Sequence, residues 1–147
     1  MAAYVEEVAL FWTAHGLPRI AGRILGLLLV CDPPHRSATE LAAELGVSKG
    51  SISSMTRLLL TSGTLEVVPV PGERATYYQL SPRSLERKLE RRLAEMVAFR
   101  ALTERGLRLL DGAPAAQRER LETVHSLYAF LERELPVLLE RWRAERP

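Results

Sequence analysis

The sequence predicts a mainly α-helical fold with one β-hairpin, and three patterns in the 147-residue chain support this. Apolar residues recur at helical spacing near both ends of the chain. Between them lie two short segments with helix-capping residues, separated by Gly46. Two β-rich runs then flank the turn residues Pro71-Gly72, which is the pattern of a hairpin.

Composition indicates one compact domain, or a small domain with a helical extension. Apolar residues make up 47% of the sequence, enough for a core without disulfides or metals. The single cysteine, Cys31, excludes an intramolecular disulfide and a thiolate zinc cluster, and favours a reducing, cytoplasmic location. The longest apolar run, 24–31, is shorter than the roughly 20 residues that cross a bilayer, so no membrane partner is expected.

Residues 1–31 predict two helices, which we assign to a scaffold for the core and for a dimer. The first spans Tyr4 to Ala14, where apolar residues follow helical spacing. The second begins at Pro18 and continues to about Val30. Because this second helix is apolar on most sides, we expect it to be largely buried.

Two short helices separated by a glycine turn are expected next. Ser37 and Glu40 form a capping box, in which each side chain satisfies a free backbone N–H at the helix start. Gly46 ends this helix in a left-handed conformation, and Ser48 caps a second helix that continues to about Thr61. This order and these lengths are typical of a helix-turn-helix, although the fragment alone fits a simple helical corner equally well.

A β-hairpin directly follows the second short helix. Residues 65–70 alternate like a strand, residues 71–74 form a turn, and residues 75–80 are a second β-rich run. With this hairpin attached, residues 32–81 predict a winged helix-turn-helix that binds double-stranded DNA. The complete fold prediction is therefore a winged helix between long N- and C-terminal dimerisation helices.

The second short helix divides chemically into two faces. Ile52, Met55 and Leu59 lie on one face and are expected to pack on the core. The other face carries small polar residues and two cations, which suits the major groove because small side chains let the backbone approach DNA. Arg74 is placed to reach the minor groove or a phosphate, and Ser37, at a helix N-terminus, a phosphate. The predicted DNA-binding residues are Ser37, Ser48, Lys49, Gly50, Ser51, Ser53, Ser54, Arg57 and Arg74.

Net charge does not by itself favour DNA binding. The whole chain has a net charge of +2, but residues 1–81 contain 6 basic and 7 acidic residues, and the remainder contains 14 and 11. Because a DNA-binding face is normally basic, a protein–protein adaptor without DNA binding remains the alternative. The basic start of the next helix either flanks DNA phosphates or forms a solvated face with interleaved glutamates. Its basic residues are Arg83, Arg87, Lys88, Arg91 and Arg92.

Residues 82–147 predict two long helices, which we assign to dimerisation. The first ends near Leu110, and residues 111–114 break it. The second runs from about Ala115 to Arg146, with apolar residues spaced alternately by three and four positions. This heptad pattern suits a helix that pairs along its length, here in a homodimer. The predicted interface residues are Leu121, Val124, Tyr128, Leu131, Leu135, Leu138 and Trp142.

Two further groups of residues are candidates for ligand sites. Phe11, Trp12 and Tyr128 are candidates for a small-molecule effector pocket, since aromatic faces bind cations; their alternative place is the core or the dimer seam. Cys31 and His35 lack a usual zinc spacing, so we expect no metal and no other cofactor. Cys31 is expected to pack as a small apolar side chain, and a thiol sensor would require exposure and a lowered pKa.

Enzymatic function is not expected. The sequence contains no nucleophile elbow, no Walker loop, no dinucleotide-binding glycine fingerprint and no zinc-protease motif. These absences exclude the corresponding enzyme classes, so that binding is the predicted activity.

The segment GLPRIAGRILGLLLV at 16–30, with the helix-turn-helix that follows and SKGSIS at 48–53, resembles the GbsR-type branch of the MarR-like winged-helix regulators. The resemblance extends from about residue 4 through the hairpin to the start of the long helix. It implies a bacterial homodimer that binds a pseudo-palindromic operator, usually as a repressor released by a small effector. It also implies recognition-helix and wing positions, and the wing here is short with a single cation. These positions are Lys49, Gly50, Ser51, Ser53, Ser54 and, in the wing, Arg74.

Overall fold

The computed structural model describes residues 1–145 of the chain, and Arg146, the predicted end of the last helix, lies outside them. The described residues form two compact units, 1–85 and 86–145. The elements are α1 (Ala2–Ala14), α2 (Arg19–Leu28), β1 (Arg36–Ser37), α3 (Ala38–Leu45), α4 (Lys49–Thr61), β2 (Leu65–Val68), β3 (Tyr77–Leu80), α5 (Ser84–Leu109) and α6 (Ala115–Glu145). The mainly helical fold with one hairpin is thus confirmed. No helix among the described residues is both long and apolar enough to span a membrane.

Helix α2 is the centre of the first unit, as its apolar composition predicts. Seven of its ten residues are buried. Its Ile24 belongs to one core cluster with Leu41 of α3 and Ile52 and Leu59 of α4, and all four side chains are fully buried. These large apolar contacts fix the two short helices on α2, because burial of each such side chain stabilises the fold by about 1.5–3 kcal/mol.

Helix α1 crosses α2 at very short range. A Cβ atom added at Gly22 would lie 2.8 Å from the Cα atom and 3.2 Å from the carbonyl oxygen of Ala9. Ala9 itself is completely buried. The two backbones approach closely because neither residue places a bulky side chain at the crossing.

The helix-turn-helix has the local chemistry that its sequence predicts. Ser37 Oγ accepts a hydrogen bond from the Glu40 backbone N–H, and the Glu40 carboxylate accepts one from the Ser37 backbone N–H at 2.7 Å. Gly46 adopts a left-handed conformation with φ of 62°, which residues with a Cβ rarely tolerate. Ser48 then caps α4 by accepting from the Ser51 backbone N–H.

The predicted hairpin is part of a three-stranded antiparallel sheet in the order β1-β3-β2. Strand β2 ends at Val68, two residues earlier than predicted, since Pro69 has no N–H to donate to the ladder. The additional strand β1 has only two residues, Arg36 and Ser37, which pair with Tyr78 and Tyr77 of β3. A two-residue strand carries no detectable alternation, so its formation depends on a distant partner rather than on a local pattern.

The second unit is a hairpin of α5 and α6, broken at residues 111–114 as predicted. The Thr103 hydroxyl donates to the Arg100 carbonyl oxygen at 2.7 Å and lies 2.9 Å from His125 Nδ1. Because a hydroxyl has one proton, the bond to His125 requires that its Nδ1 carries the proton. Among residues 86–145, Thr103 is the only buried one.

The close crossing of α1 and α2 predicts a severe effect of Gly22→Ala. We expect the free energy of unfolding to fall by about 1–3 kcal/mol, since the new methyl group meets backbone atoms that cannot rotate away. Urea denaturation measures the change. Gly50→Ala is the matched control: the nearest atom to its added Cβ lies 3.9 Å away, and alanine favours a helix. Equal midpoints for both variants would contradict the proposed steric limit.

The capping box predicts a pH-dependent contribution of Glu40. Hydrogen bonds from the Ser37 backbone N–H and hydroxyl hold the pKa of this carboxyl below its ordinary value. Its charge therefore stabilises the fold above the unfolded-state pKa, and this contribution disappears as the pH falls through the lower folded-state pKa. We expect Glu40→Gln to cost about 0.5 kcal/mol at neutral pH and almost nothing in acid. Urea denaturation at several pH values tests this, and the exposed Glu7→Gln serves as control. A cost that is the same at all pH values would disprove it.

Candidate nucleic-acid interface

Helix α4 presents one polar, exposed face. Ile52 and Leu59 are buried and Met55 packs half-buried against the core, so the predicted inward face is confirmed. Thr56 is also buried, and its hydroxyl donates to the Ile52 carbonyl oxygen at 2.9 Å. The opposite face combines small side chains with two long cations. Its exposed residues are Lys49, Gly50, Ser53, Ser54 and Arg57.

The N-terminus of α4 is arranged around two serines. Ser48 Oγ lies 2.9 Å from Ser51 Oγ and accepts from the Ser51 backbone N–H at 3.2 Å. Both hydroxyls are thus held at the start of the helix, where the helix dipole favours anions. Lys49 and Gly50 follow directly, so that this end of α4 combines hydroxyls, an ammonium group and an unobstructed backbone.

The N-terminus of α3 differs from that of α4, which argues against the phosphate contact predicted for Ser37. Ser37 is buried, and its hydroxyl and backbone N–H both donate to the Glu40 carboxylate, at 2.8 and 2.7 Å. An approaching phosphate would meet this negative charge instead of free N–H groups. The capping box that makes Ser37 recognisable in the sequence also occupies the two donors that a phosphate contact would use.

The wing carries its cation in an exposed turn. Residues 69–76 connect β2 and β3, and residues 71–76 are all exposed, including Arg74. On the strands below, the Gln79 side chain donates to the Glu66 carboxylate at 2.7 Å. The hairpin therefore holds its own strands together while leaving the guanidinium of Arg74 free to meet another molecule.

The carboxylates of the first unit are mostly engaged by internal partners. Glu6 pairs with Arg19 at 2.8 Å and with Arg23 at 2.6 Å, and the Arg19 hydrogen bond lowers the pKa of Glu6. Glu44 pairs with Arg36 at 2.6 Å. By contrast, no carboxylate among the described residues lies within ion-pair distance of the cations at the candidate interface. These cations are Lys49, Arg57 and Arg74. The near-neutral net charge of residues 1–81 is thus compatible with unpaired cations at the candidate interface.

Sequence reasoning missed Arg36, which lies in β1 directly before the cap of α3. Its Nη1 donates to the carbonyl oxygens of Pro33 and His35, each at 2.8 Å, and its Nε lies 2.6 Å from Glu44 Oε1. The ring of His35 stacks edge-on against Tyr77 at 5.2 Å between centroids. No sequence motif signals these contacts, because three of the four partners of the guanidinium are backbone carbonyls and the fourth, Glu44, lies eight residues away in α3.

Some of the predicted dimer-interface residues of α6 contact α5, and others are exposed. Leu121 lies against Gly106, and Tyr128 packs on Phe99 with centroids 4.7 Å apart, so both contact α5 of the same hairpin. Leu131 and Leu135 are half-buried, whereas Val124, Leu138 and Trp142 are exposed. Large exposed apolar side chains extend along both helices. They are Leu85, Leu89, Val97, Phe99, Leu102, Leu109, Val124, Leu127, Phe130, Val137, Leu138 and Trp142.

The aromatic residues proposed for an effector pocket lie in separate units. Phe11 and Trp12 form an edge-on pair on α1, with centroids 5.3 Å apart, and are exposed. Tyr128 belongs to the second unit, where it contacts Phe99. A pocket of about 320 Å³ in the first unit contains none of these three. It is lined by Met1, Ala2, Val5, Glu6, Arg23, Leu27, Glu44 and Leu45.

Cys31 lies at the end of α2 in the core cluster. It is 8% exposed, and burial raises the pKa of its thiol. A buried thiol with a raised pKa has little thiolate at neutral pH, which is the environment of an apolar packing residue rather than of a redox sensor. Residues 1–145 contain no group of three or more His, Cys, Asp or Glu side chains arranged to hold a metal ion.

Comparison with known proteins identifies the family. A MarR family sequence model matches residues 15–75, and one described as an MmpR5-like MarR family transcriptional regulator matches residues 84–145. The HTH-type transcriptional regulator MmpR5 of Mycobacterium tuberculosis is 37% identical over 139 residues, which are 95% of this chain and 84% of that protein. The putative HTH-type transcriptional regulator YvaV of Bacillus subtilis is 31% identical over 77 residues, 52% of this chain and 43% of that protein.

A solved crystal structure of a transcriptional regulator extends the likeness to three dimensions. It shares 36% sequence identity, covers 97% of both chains and superposes with a TM-score of 0.68. These relatives are transcriptional regulators and not enzymes. The chain belongs to the MarR family of winged-helix, DNA-binding transcriptional regulators.

Proposed function

We propose that this MarR-family regulator is a homodimeric repressor that places α4 in the major groove of a pseudo-palindromic operator. One observation carries the proposal: the cations of α4 and of the wing are exposed and have no carboxylate partner among the described residues. Cations that no internal carboxylate neutralises are available to displace counterions from phosphates, which supplies most of the non-specific affinity for DNA.

The side chains of α4 suggest distinct roles. Arg57 and Lys49 have the length and donors for paired hydrogen bonds to guanine. The hydroxyls of Ser48 and Ser51, at the helix N-terminus, fit a phosphate. Gly50, Ser53 and Ser54 are small enough to let the helix enter the groove deeply. Arg74 is the wing contact with a phosphate or the minor groove, and Ser37 is left out of the set.

A second copy of the chain is the partner that the hairpin of α5 and α6 needs. With Thr103 as the only buried residue of 86–145, this unit has almost no apolar core of its own. Its exposed apolar side chains would be covered in a dimer, since burial of apolar area is the main force for such association. A two-fold dimer would space two α4 helices by about 34–36 Å, one turn of DNA.

The proposal also includes repression of transcription, release from DNA by a small effector, and membership of one branch of the family. A dimer that covers promoter DNA blocks transcription by occupancy alone. A small effector that binds near the exposed aromatic pair Phe11 and Trp12 would release it, by favouring a dimer with a different spacing of the α4 helices. The sequences at 16–30 and 48–53 support the assignment to the GbsR-type branch.

Fluorescence anisotropy with DNA from upstream of its own gene tests this function, with random DNA of equal length beside it. We expect a preference for the upstream DNA and an affinity that falls steeply with added salt, because phosphate contacts release counterions. Affinity for neither DNA at low salt would instead favour the protein–protein adaptor. An adaptor interface dominated by apolar contacts would respond little to salt.

Arg57→Ala is expected to weaken operator binding by about 1–3 kcal/mol and to relax the preference at one base position. The loss follows from the removal of a paired hydrogen bond to a base edge. Anisotropy with the operator and with single-base variants measures both effects. Arg19→Ala, which removes an exposed arginine from α2, is the control and should bind normally. Normal binding by Arg57→Ala as well would make Arg57 a solvated surface residue.

Leu138→Glu is expected to weaken the dimer by about 3–5 kcal/mol, because it buries an unpaired charge in the interface. The side chain of Leu138 is 53% exposed in the protomer, so the hairpin itself has no reason to unfold. Sedimentation velocity over a range of concentrations measures the change. Gln117→Glu, at an exposed position in the first turn of α6, is the control. A fully dimeric Leu138→Glu protein would exclude this face of α6 from the interface.

A further inference from the structure

Arg36 gathers four partners around one guanidinium. Its Nε lies 2.6 Å from Glu44 Oε1, its Nη1 donates to the carbonyl oxygens of Pro33 and His35 at 2.8 Å, and its Nη2 donates to that of Asp32 at 3.4 Å. Only 14% of the side chain is exposed. A planar guanidinium with five N–H donors satisfies such a set, whereas the single ammonium group of lysine does not.

The elements that Arg36 connects are those that orient the wing. Its own backbone pairs with Tyr78 of β3, which is the middle strand of the sheet. The next residue, Ser37, ends β1 and at the same time caps α3. Glu44 lies in the last turn of α3, so the Arg36 side chain spans this helix from its start to its end. These contacts thus join the strand that pairs with the hairpin to the far end of α3.

We propose that Arg36 is a positioning residue for DNA binding, which holds the wing at the angle that lets Arg74 and α4 engage the same duplex. The inference rests on the proposed function, since it requires a contact between Arg74 and DNA. Arg36 acts through that contact and not by touching DNA, because four of its five donors and its charge are already satisfied within the protein.

Arg36→Lys separates the geometric role from the charge, because it retains the positive charge and removes the planar fork. We expect the affinity for operator DNA to fall about tenfold, the size typical of a lost coupling between neighbouring groups. We also expect the plot of log affinity against log salt to become shallower: the magnitude of its slope should decrease by about one, as for the loss of one phosphate contact. A lysine that acted only through its charge would preserve this slope.

Arg74→Ala identifies the contact through which Arg36 acts. Alone, it should reduce the salt slope by the same amount as Arg36→Lys. The double variant should show no further reduction, because both substitutions remove one and the same contact. Arg19→Lys is the matched control: it makes the same exchange at an exposed arginine that pairs with Glu6 at 2.8 Å, and it should leave affinity and slope unchanged.

Circular dichroism melting curves fix a temperature at which every variant is folded, and anisotropy is measured there. If Arg36→Lys does not fold, Glu44→Gln replaces it, since glutamine keeps an acceptor oxygen for Nε and leaves the carbonyl contacts in place. For Glu44→Gln we expect the same decrease in the magnitude of the salt slope.

The positioning role would be overturned if the folded Arg36→Lys protein had an unchanged salt slope. It would also be overturned if the decrease in the double variant equalled the sum of the two single decreases. The wing contact would remain supported in both cases. If Arg74→Ala itself leaves the slope unchanged, the wing contact of the proposed function fails, and the inference fails with it.

Discussion

The burial of α2 is the constraint on which the DNA-binding unit depends. Its side chains supply the surface on which α3 and α4 are fixed, and Ile24, Leu41, Ile52 and Leu59 close that contact without exposed apolar area. Because these residues take up the inward faces of the short helices, the outward face of α4 is left polar. The side chains of α4 that can contact DNA are therefore those that the core does not bury.

The charged residues of the first unit divide in a similar way, into those that pair within the protein and those that have no internal partner. Most of its carboxylates are engaged by arginines of neighbouring elements, by a helix cap or by Gln79, and the arginines so used are Arg19, Arg23 and Arg36. The cations of α4 and the wing remain outside these pairs. A chain segment with nearly equal numbers of acids and bases can thus still offer unpaired cations to DNA, because the position of the charges matters as well as their sum.

The sequence was sufficient to predict features that depend on neighbouring residues, and insufficient for those that depend on distant ones. The capping box at Ser37 and the glycine turn at Gly46 are local, and both are confirmed. Strand β1 and the partners of Arg36 arise from contacts across the fold, which no short motif encodes. On α6 the heptad pattern identified apolar positions but not what covers them: Leu121 and Tyr128 turn to α5, while Val124 and Leu138 stay exposed.

The exposed face of α4 also affects how the DNA specificity of this regulator can change during evolution. Its small side chains at Gly50, Ser53 and Ser54 are exposed, and none is part of the core cluster. Substitutions at such surface positions usually change stability by less than about 0.5 kcal/mol. New side chains can therefore be tried there during evolution with little risk of unfolding. A duplicated copy of the gene is free to acquire a new operator while its scaffold remains unchanged.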